Sequence, residues 1–125
     1  MTVNTEIDVV RNLIIHHFSD SVSLPEFTKT IENTLSNPDY KVGMDAIWEC
    51  KQGTKVEMSS SEAQKLSDLT GKAFDKEGSG YKLALVAKED LAYGMLRVYE
   101  GWSSNRPVEI STFRNYDDAL SWVDE

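Results

Sequence analysis

The feature that most constrains this chain is alternation: after two strand-like runs, helix-like and strand-like patterns follow one another to the end. Glu6-Ile7-Asp8-Val9 alternates polar and apolar residues, as a half-exposed strand does. Leu13-Ile14-Ile15-His16-His17-Phe18 is denser and β-branched, which suits a central strand. Arg11-Asn12 reads as a tight turn between them, so the pair predicts an antiparallel hairpin. A helix follows, with Ser23 as its cap, Pro25 in the first turn and Glu26 at the capping-box position. Phe27, Ile31 and Leu35 give it one apolar stripe, and Asn37-Pro38-Asp39 ends it.

Asp45-Ala46-Ile47-Trp48-Glu49-Cys50 is the third strand. A second helix starts near Ser59, where Ser59 and Glu62 form a capping box, and Leu66, Leu69 and Ala73 make its buried side. Gly78-Ser79-Gly80 predicts a flexible break before Tyr81-Lys82-Leu83-Ala84-Leu85-Val86, the clearest strand. Asp90 is placed to cap a third helix whose stripe is Leu91, Met95, Val98 and Trp102. Asn105-Arg106-Pro107 interrupts it, and Val108-Glu109-Ile110-Ser111-Thr112-Phe113 reads as a fifth strand at an edge. A short last helix carries Ala119, Leu120 and Val123. Such an order predicts an α/β fold: a mixed, mostly parallel five-stranded sheet with about four helices and right-handed crossovers.

The 125 residues fit one domain spanning 1–125, large enough to fold without disulfide or metal. Lys and Arg number 13 against 21 Asp and Glu, a net charge of -8 with the cations scattered. That balance repels phosphate backbones and anionic lipid, which disfavours nucleic-acid partners. No apolar run approaches the ~20 residues needed to cross a bilayer, and residues 1–6 lack a signal-peptide pattern, so the cytoplasm is the expected compartment. Cys50 stands alone and suits a small buried hydrophobe better than a reactive thiol.

The strand run Tyr81-Lys82-Leu83-Ala84-Leu85-Val86-Ala87 and three further stretches carry a resemblance. The three are Asp90-Leu91-Ala92-Tyr93-Gly94-Met95-Leu96-Arg97-Val98-Tyr99-Glu100, the ending Phe113-Arg114-Asn115-Tyr116-Asp117-Asp118-Ala119-Leu120-Ser121-Trp122-Val123, and Asn37-Pro38-Asp39-Tyr40 with Gly43-Met44-Asp45. Together they resemble the SpoIIAA-like (STAS-related) family along nearly the whole chain. The resemblance implies a (βα)n superhelix shared by anti-sigma-factor antagonists, transporter regulatory domains and SEC14-type lipid carriers. Fold alone does not assign function.

In the anti-sigma antagonists a serine at the start of the second helix is phosphorylated, and the resemblance puts Ser60 at that position, between Ser59 and Ser61. A helix N-terminus favours a dianion. Here, however, Ser59 replaces the usual Asp and Glu62 the usual Gly, and a plain helix cap also accounts for the serines. His16 and His17, adjacent on a strand, point to opposite faces and cannot converge on one metal. Asp90, Tyr93, Gly94 and Arg97 follow the C-terminal end of the fourth strand, where open α/β sheets gather ligands. Gly94 in a helix suggests close packing, Arg97 has Glu100 or Asp90 within reach, and Trp102 beside Gly101 suits an interface.

No nucleophile elbow, phosphate loop or zinc-protease motif is present, and no cofactor is implied. The expected function is a non-catalytic regulatory or protein-binding module, partnered by another protein or by itself as a homodimer. The alternative is a carrier of a small apolar or lipid-like ligand.

Overall fold

A computed structural model describes residues 3–75 and 80–125. The main sheet runs β1 (Val3–Asp8), β2 (Leu13–Phe18), β4 (Asp45–Cys50), β6 (Lys82–Ala87) and β7 (Glu109–Phe113) in that spatial order. β1 is antiparallel to β2, and every other neighbouring pair is parallel. Two three-residue strands, β3 (Ser21–Ser23) and β5 (Lys55–Glu57), pair in parallel as a separate small sheet. The helices are α1 (Leu24–Ser36), α2 (Ser60–Phe74), α3 (Asp90–Trp102) and α4 (Tyr116–Val123). The expected fold class, the hairpin sense and the edge position of the last strand are all present.

Side-chain alternation sorts the sheet into two faces. On one, Phe18, Trp48 and Leu85 pack with Phe27 and Ile31 of α1, Leu66 of α2 and Leu96 and Tyr99 of α3. On the other, Leu13, Ile15, Ile47 and Val86 pack with Ala119 and Val123 of α4. Each fully buried Leu, Ile or Phe contributes about 1.5–3 kcal/mol, so these two clusters hold the layers together.

Several local expectations are corrected. β1 ends at Asp8, and Val9 and Val10 lie exposed in a longer turn. The Asp8 carboxylate accepts from the Val10 and Arg11 amides, and Asn12 takes φ 56°, which asparagine tolerates well. Ser23 caps α1 by position only: its hydroxyl donates to the Glu26 carboxylate at 2.6 Å and not to the helix backbone. The cap of α3 is Glu89, with Asp90 in the first turn.

The helix stripes are also displaced. α3 buries Ala92, Leu96 and Tyr99, leaving Leu91 92% and Trp102 46% exposed. α2 buries Ala63, Leu66, Ser67 and Thr70, and Leu69 faces outward. Leu35 of α1 is exposed, with Thr30 and Thr34 buried beside Phe27 and Ile31. Threonine and serine enter these cores because their hydroxyls bond the carbonyl four residues back: Thr30 to Glu26, Thr34 to Thr30, Thr70 to Leu66. Gly78 and Ser79 of the expected glycine break lie outside the described residues.

Candidate functional site

The start of α2 separates two serine roles. Ser59 Oγ accepts from the Glu62 amide at 3.2 Å while the Glu62 carboxylate accepts from the Ser59 amide at 2.9 Å, a complete capping box. Ser61 Oγ lies 3.1 Å from Ser59 Oγ. Ser60 takes no part in the cap. Its exposed hydroxyl accepts instead from the indole N–H of Trp102 at 3.3 Å. Two residues singled out separately in the sequence therefore meet on one surface.

Trp102 ends an outward flank of α3. Leu91, Met95, Val98 and Trp102 recur at helical spacing, with Met95 and Val98 half-buried against the core. A methyl added at Gly94 or Gly101 would meet nothing within 4 Å. Among the described residues nothing packs closely on Gly94, and open space lies there instead.

The group around Asp90 divides. Asp90 accepts from Arg114 Nη1 at 2.8 Å, and the Arg114 guanidinium stacks over the Tyr93 ring, 3.9 Å from its centroid. Arg97 pairs with Glu100, at 3.8 Å, and not with Asp90. Asp90 and Tyr93 thus share the Arg114 cation, while the largely exposed Arg97 lies beside Tyr93 and Glu100.

The histidines occupy opposite faces of β2. His16 is buried, with Nδ1 2.8 Å from Thr5 Oγ1, and burial together with neighbouring His17 pushes its pKa down to about 4. His17 lies between Glu49, 2.5 Å from Nδ1, and Glu6, 3.0 Å from Nε2. Cys50 is buried, and loss of solvent and then the Glu49 and Glu89 charges push its thiol up to about 12. A thiol so shifted is no nucleophile near neutrality. No group of three or more metal-ligating side chains stands together among the described residues.

A buried polar network centres on Arg106, whose sequence context, Asn105-Arg106-Pro107, marks only a helix break. Arg106 donates from Nε and Nη2 to the Asp75 carboxylate at 2.7 and 3.0 Å, a bidentate pair with each side chain 12% exposed. Its remaining hydrogens reach Thr70, Tyr99 and Ser103 from Nη1 and Tyr81 from Nη2. Buried Ser67 joins through Ser103 at 2.7 Å. Burial raises the Tyr81 and Tyr99 pKa values, so both phenols stay neutral. One guanidinium thus ties the end of α2, the start of β6 and the end of α3. The signal in the sequence was the surplus of hydroxyls on the helix faces, which needed a shared donor.

Beside this network an apolar cavity lies among Ile14, His16, Tyr40, Met44, Trp48 and Phe74. Its ≈ 30 Å³ has room for about two waters. An acyl chain does not fit there. No helix among the described residues is long and apolar enough to cross a membrane.

The fold is SpoIIAA-like. The chain is similar to the crystal structure of an uncharacterized protein from the DUF3478 family with a SpoIIAA-like fold, from Shewanella loihica PV-4. The TM-score is 0.55 at 18% identity, over 97% of this chain and 91% of that one. At that identity the likeness is one of fold. No protein-family model and no curated protein sequence matches the chain.

Proposed function

We propose that this chain is a non-catalytic regulatory module that binds another protein through the outward flank of α3 and the start of α2. The observation that carries the reading is the Trp102–Ser60 contact at the end of an apolar stripe whose two end residues, Leu91 and Trp102, are exposed and whose middle residues, Met95 and Val98, are half-buried. Aromatic anchors flanked by apolar contacts are the usual core of protein interfaces. The non-catalytic part of the reading draws on the burial of Cys50 and His16, which keeps both from solvent-borne substrate. The ligand-carrier alternative finds no room for an acyl chain in the enclosed cavity sized for two waters, and the larger groove beside Val3 and Thr5 is open, with Lys29, Asn33 and Asn37 along it.

Regulation would act on the same face. A phosphate on Ser60 would add charge at a helix N-terminus and compete for the Trp102 indole N–H, with Glu62 opposing it. The test compares the whole chain with Trp102→Glu as baits, followed by titration of each retained protein against both. Affinity lower by roughly tenfold or more in the variant is expected for an interface tryptophan. Equal affinities, or no retained protein, would count against the reading. Ser60→Asp is a separate arm: unchanged affinity there removes the regulatory part and leaves the binding part.

A further inference from the structure

We infer that a second copy of this chain docks on the edge strand β1, its own β1 pairing antiparallel with this one about a two-fold axis. The N–H and C=O of one strand residue point to one side, and those of the next residue to the other. Phe18 of β2 turns its carbonyl towards β4, where the Lys51 amide donates to it at 2.9 Å. Ile14 and His16 share that orientation, which leaves Leu13, Ile15 and His17 to bond β1. Their partners there are Asp8, Glu6 and Asn4, so Val3, Thr5 and Ile7 turn their backbone groups to the open edge. β1 ends the sheet, and its six residues match β2 one for one, with no bulge, lysine or proline to blunt it. Such an edge is a template for a further strand.

The strand complements itself. Val3-Asn4-Thr5-Glu6-Ile7 has the same pattern in both directions: apolar, polar, threonine, polar, apolar. A two-fold centred on Thr5 sets it against the partner's Thr5, and Val3 against the partner's Ile7. These are the three outward residues, so each pair exchanges two N–H···O bonds, about six in all. On the α1 side the Val3 and Ile7 pairs are apolar, and Val3 already packs on the core there. On the other side exposed Asn4 meets the partner's Glu6, amide against carboxylate. A centre on Glu6 would oppose two carboxylates, and a centre on Asn4 would leave Ile7 outside the paired stretch. An unrelated peptide has no reason to satisfy these constraints, whereas a second copy satisfies them all. A groove of about 550 Å³ separates Val3 and Thr5 from α1, so the helix stands back from this edge. α3 packs on β6 and β7, towards the far side of the sheet, so a dimer would present two α3 faces and bind a bivalent partner more tightly.

The inference does not depend on the α3 reading. Its test is sedimentation equilibrium of the whole chain up to about 1 mM, with amide exchange measured at low and high concentration. A dimer with a Kd of roughly 10–100 μM is expected for so short an edge. Exchange should slow at Val3, Thr5 and Ile7 and stay unchanged at Asn4, Glu6 and Asp8, whose amides already bond β2. Thr5→Lys sets like charges across the axis and is expected to weaken the dimer about tenfold or more, as is Thr5→Glu. An equimolar mixture of the two variants is expected to dimerise again, which misfolded chains would not do. A chain that stays monomeric at every concentration overturns the inference and leaves the α3 reading intact. It is also overturned by a dimer indifferent to Thr5→Lys or by a mixture that stays monomeric. A dimer that protects residues 91–102 and not β1 overturns it too, and moves self-association to the α3 face.

Discussion

Arg106 and Asp75 form a bidentate ion pair, with Nε–Oδ2 at 2.7 Å and Nη2–Oδ1 at 3.0 Å, that pins the loop after α3 to the end of α2. Both side chains are largely buried, and every guanidinium hydrogen has an acceptor. Removing one partner would leave a carboxylate and several hydroxyls without their donor. Arg106→Met is therefore expected to cost about 3–5 kcal/mol, read from the urea midpoint. Arg106→Lys keeps the charge but not the planar fork, and is expected to recover only part of that loss. A loss under ~1 kcal/mol for Arg106→Met would mean that the network is not integral to the fold.

His16 predicts an acid-sensitive stability. Its folded pKa of about 4 lies below the ordinary 6.5. Between those values the unfolded chain binds the extra proton, so stability rises with pH there and falls as pH drops from 6.5 towards 4. The span corresponds to about 3 kcal/mol. His16→Gln removes this titration, so the difference in unfolding free energy between pH 7 and pH 4.5 should be smaller in the variant than in wild type. Equal pH dependence would contradict the buried neutral imidazole.

Ser59 and Ser60 are expected to differ although they are adjacent. Ser59→Ala breaks the capping box and should cost about 1 kcal/mol. Ser60→Ala removes a hydroxyl outside the cap and should stay within ~0.5 kcal/mol. Thermal unfolding of the two variants separates them, and equal losses would mean that the cap is shared.

Gly94 is a helix-interior residue with nothing opposite it inside the chain. Gly94→Ala should stabilise the free protein by about 0.5–1 kcal/mol through helix propensity and a less flexible unfolded chain. A destabilised variant would show that the open space is filled by the chain itself.

The sheet and helix order was legible because the β2, β4 and β6 runs are rich in apolar residues and are separated by helices with readable start signals at Ser23–Pro25 and Ser59–Glu62. β3 and β5 were not, since three residues carry no readable period. The helix faces were legible in part, and the departures have one physical reason. Phe27, Ile31, Leu66, Ala119 and Val123 are buried as expected, but Thr30, Thr34, Ser67, Thr70, Tyr99 and Ser103 also occupy core positions through hydroxyl bonds, which turns Leu35, Leu69 and the ends of the α3 stripe outward. On α3 the stripe's ends, Leu91 and Trp102, are exposed, and that flank is the candidate binding face. Ser60 and Trp102 were both legible as candidates. Their meeting was not, because they are 42 positions apart. Arg106 was hidden by the Asn105 and Pro107 beside it, which read as a simple helix breaker.

The α3 face is tested most directly by hydrogen exchange of the whole chain, alone and with a protein partner it retains. Slower exchange is predicted within residues 91–102 and at the start of α2, with the α4 side of the sheet unchanged. Protection that leaves α3 untouched in the bound state would contradict the account.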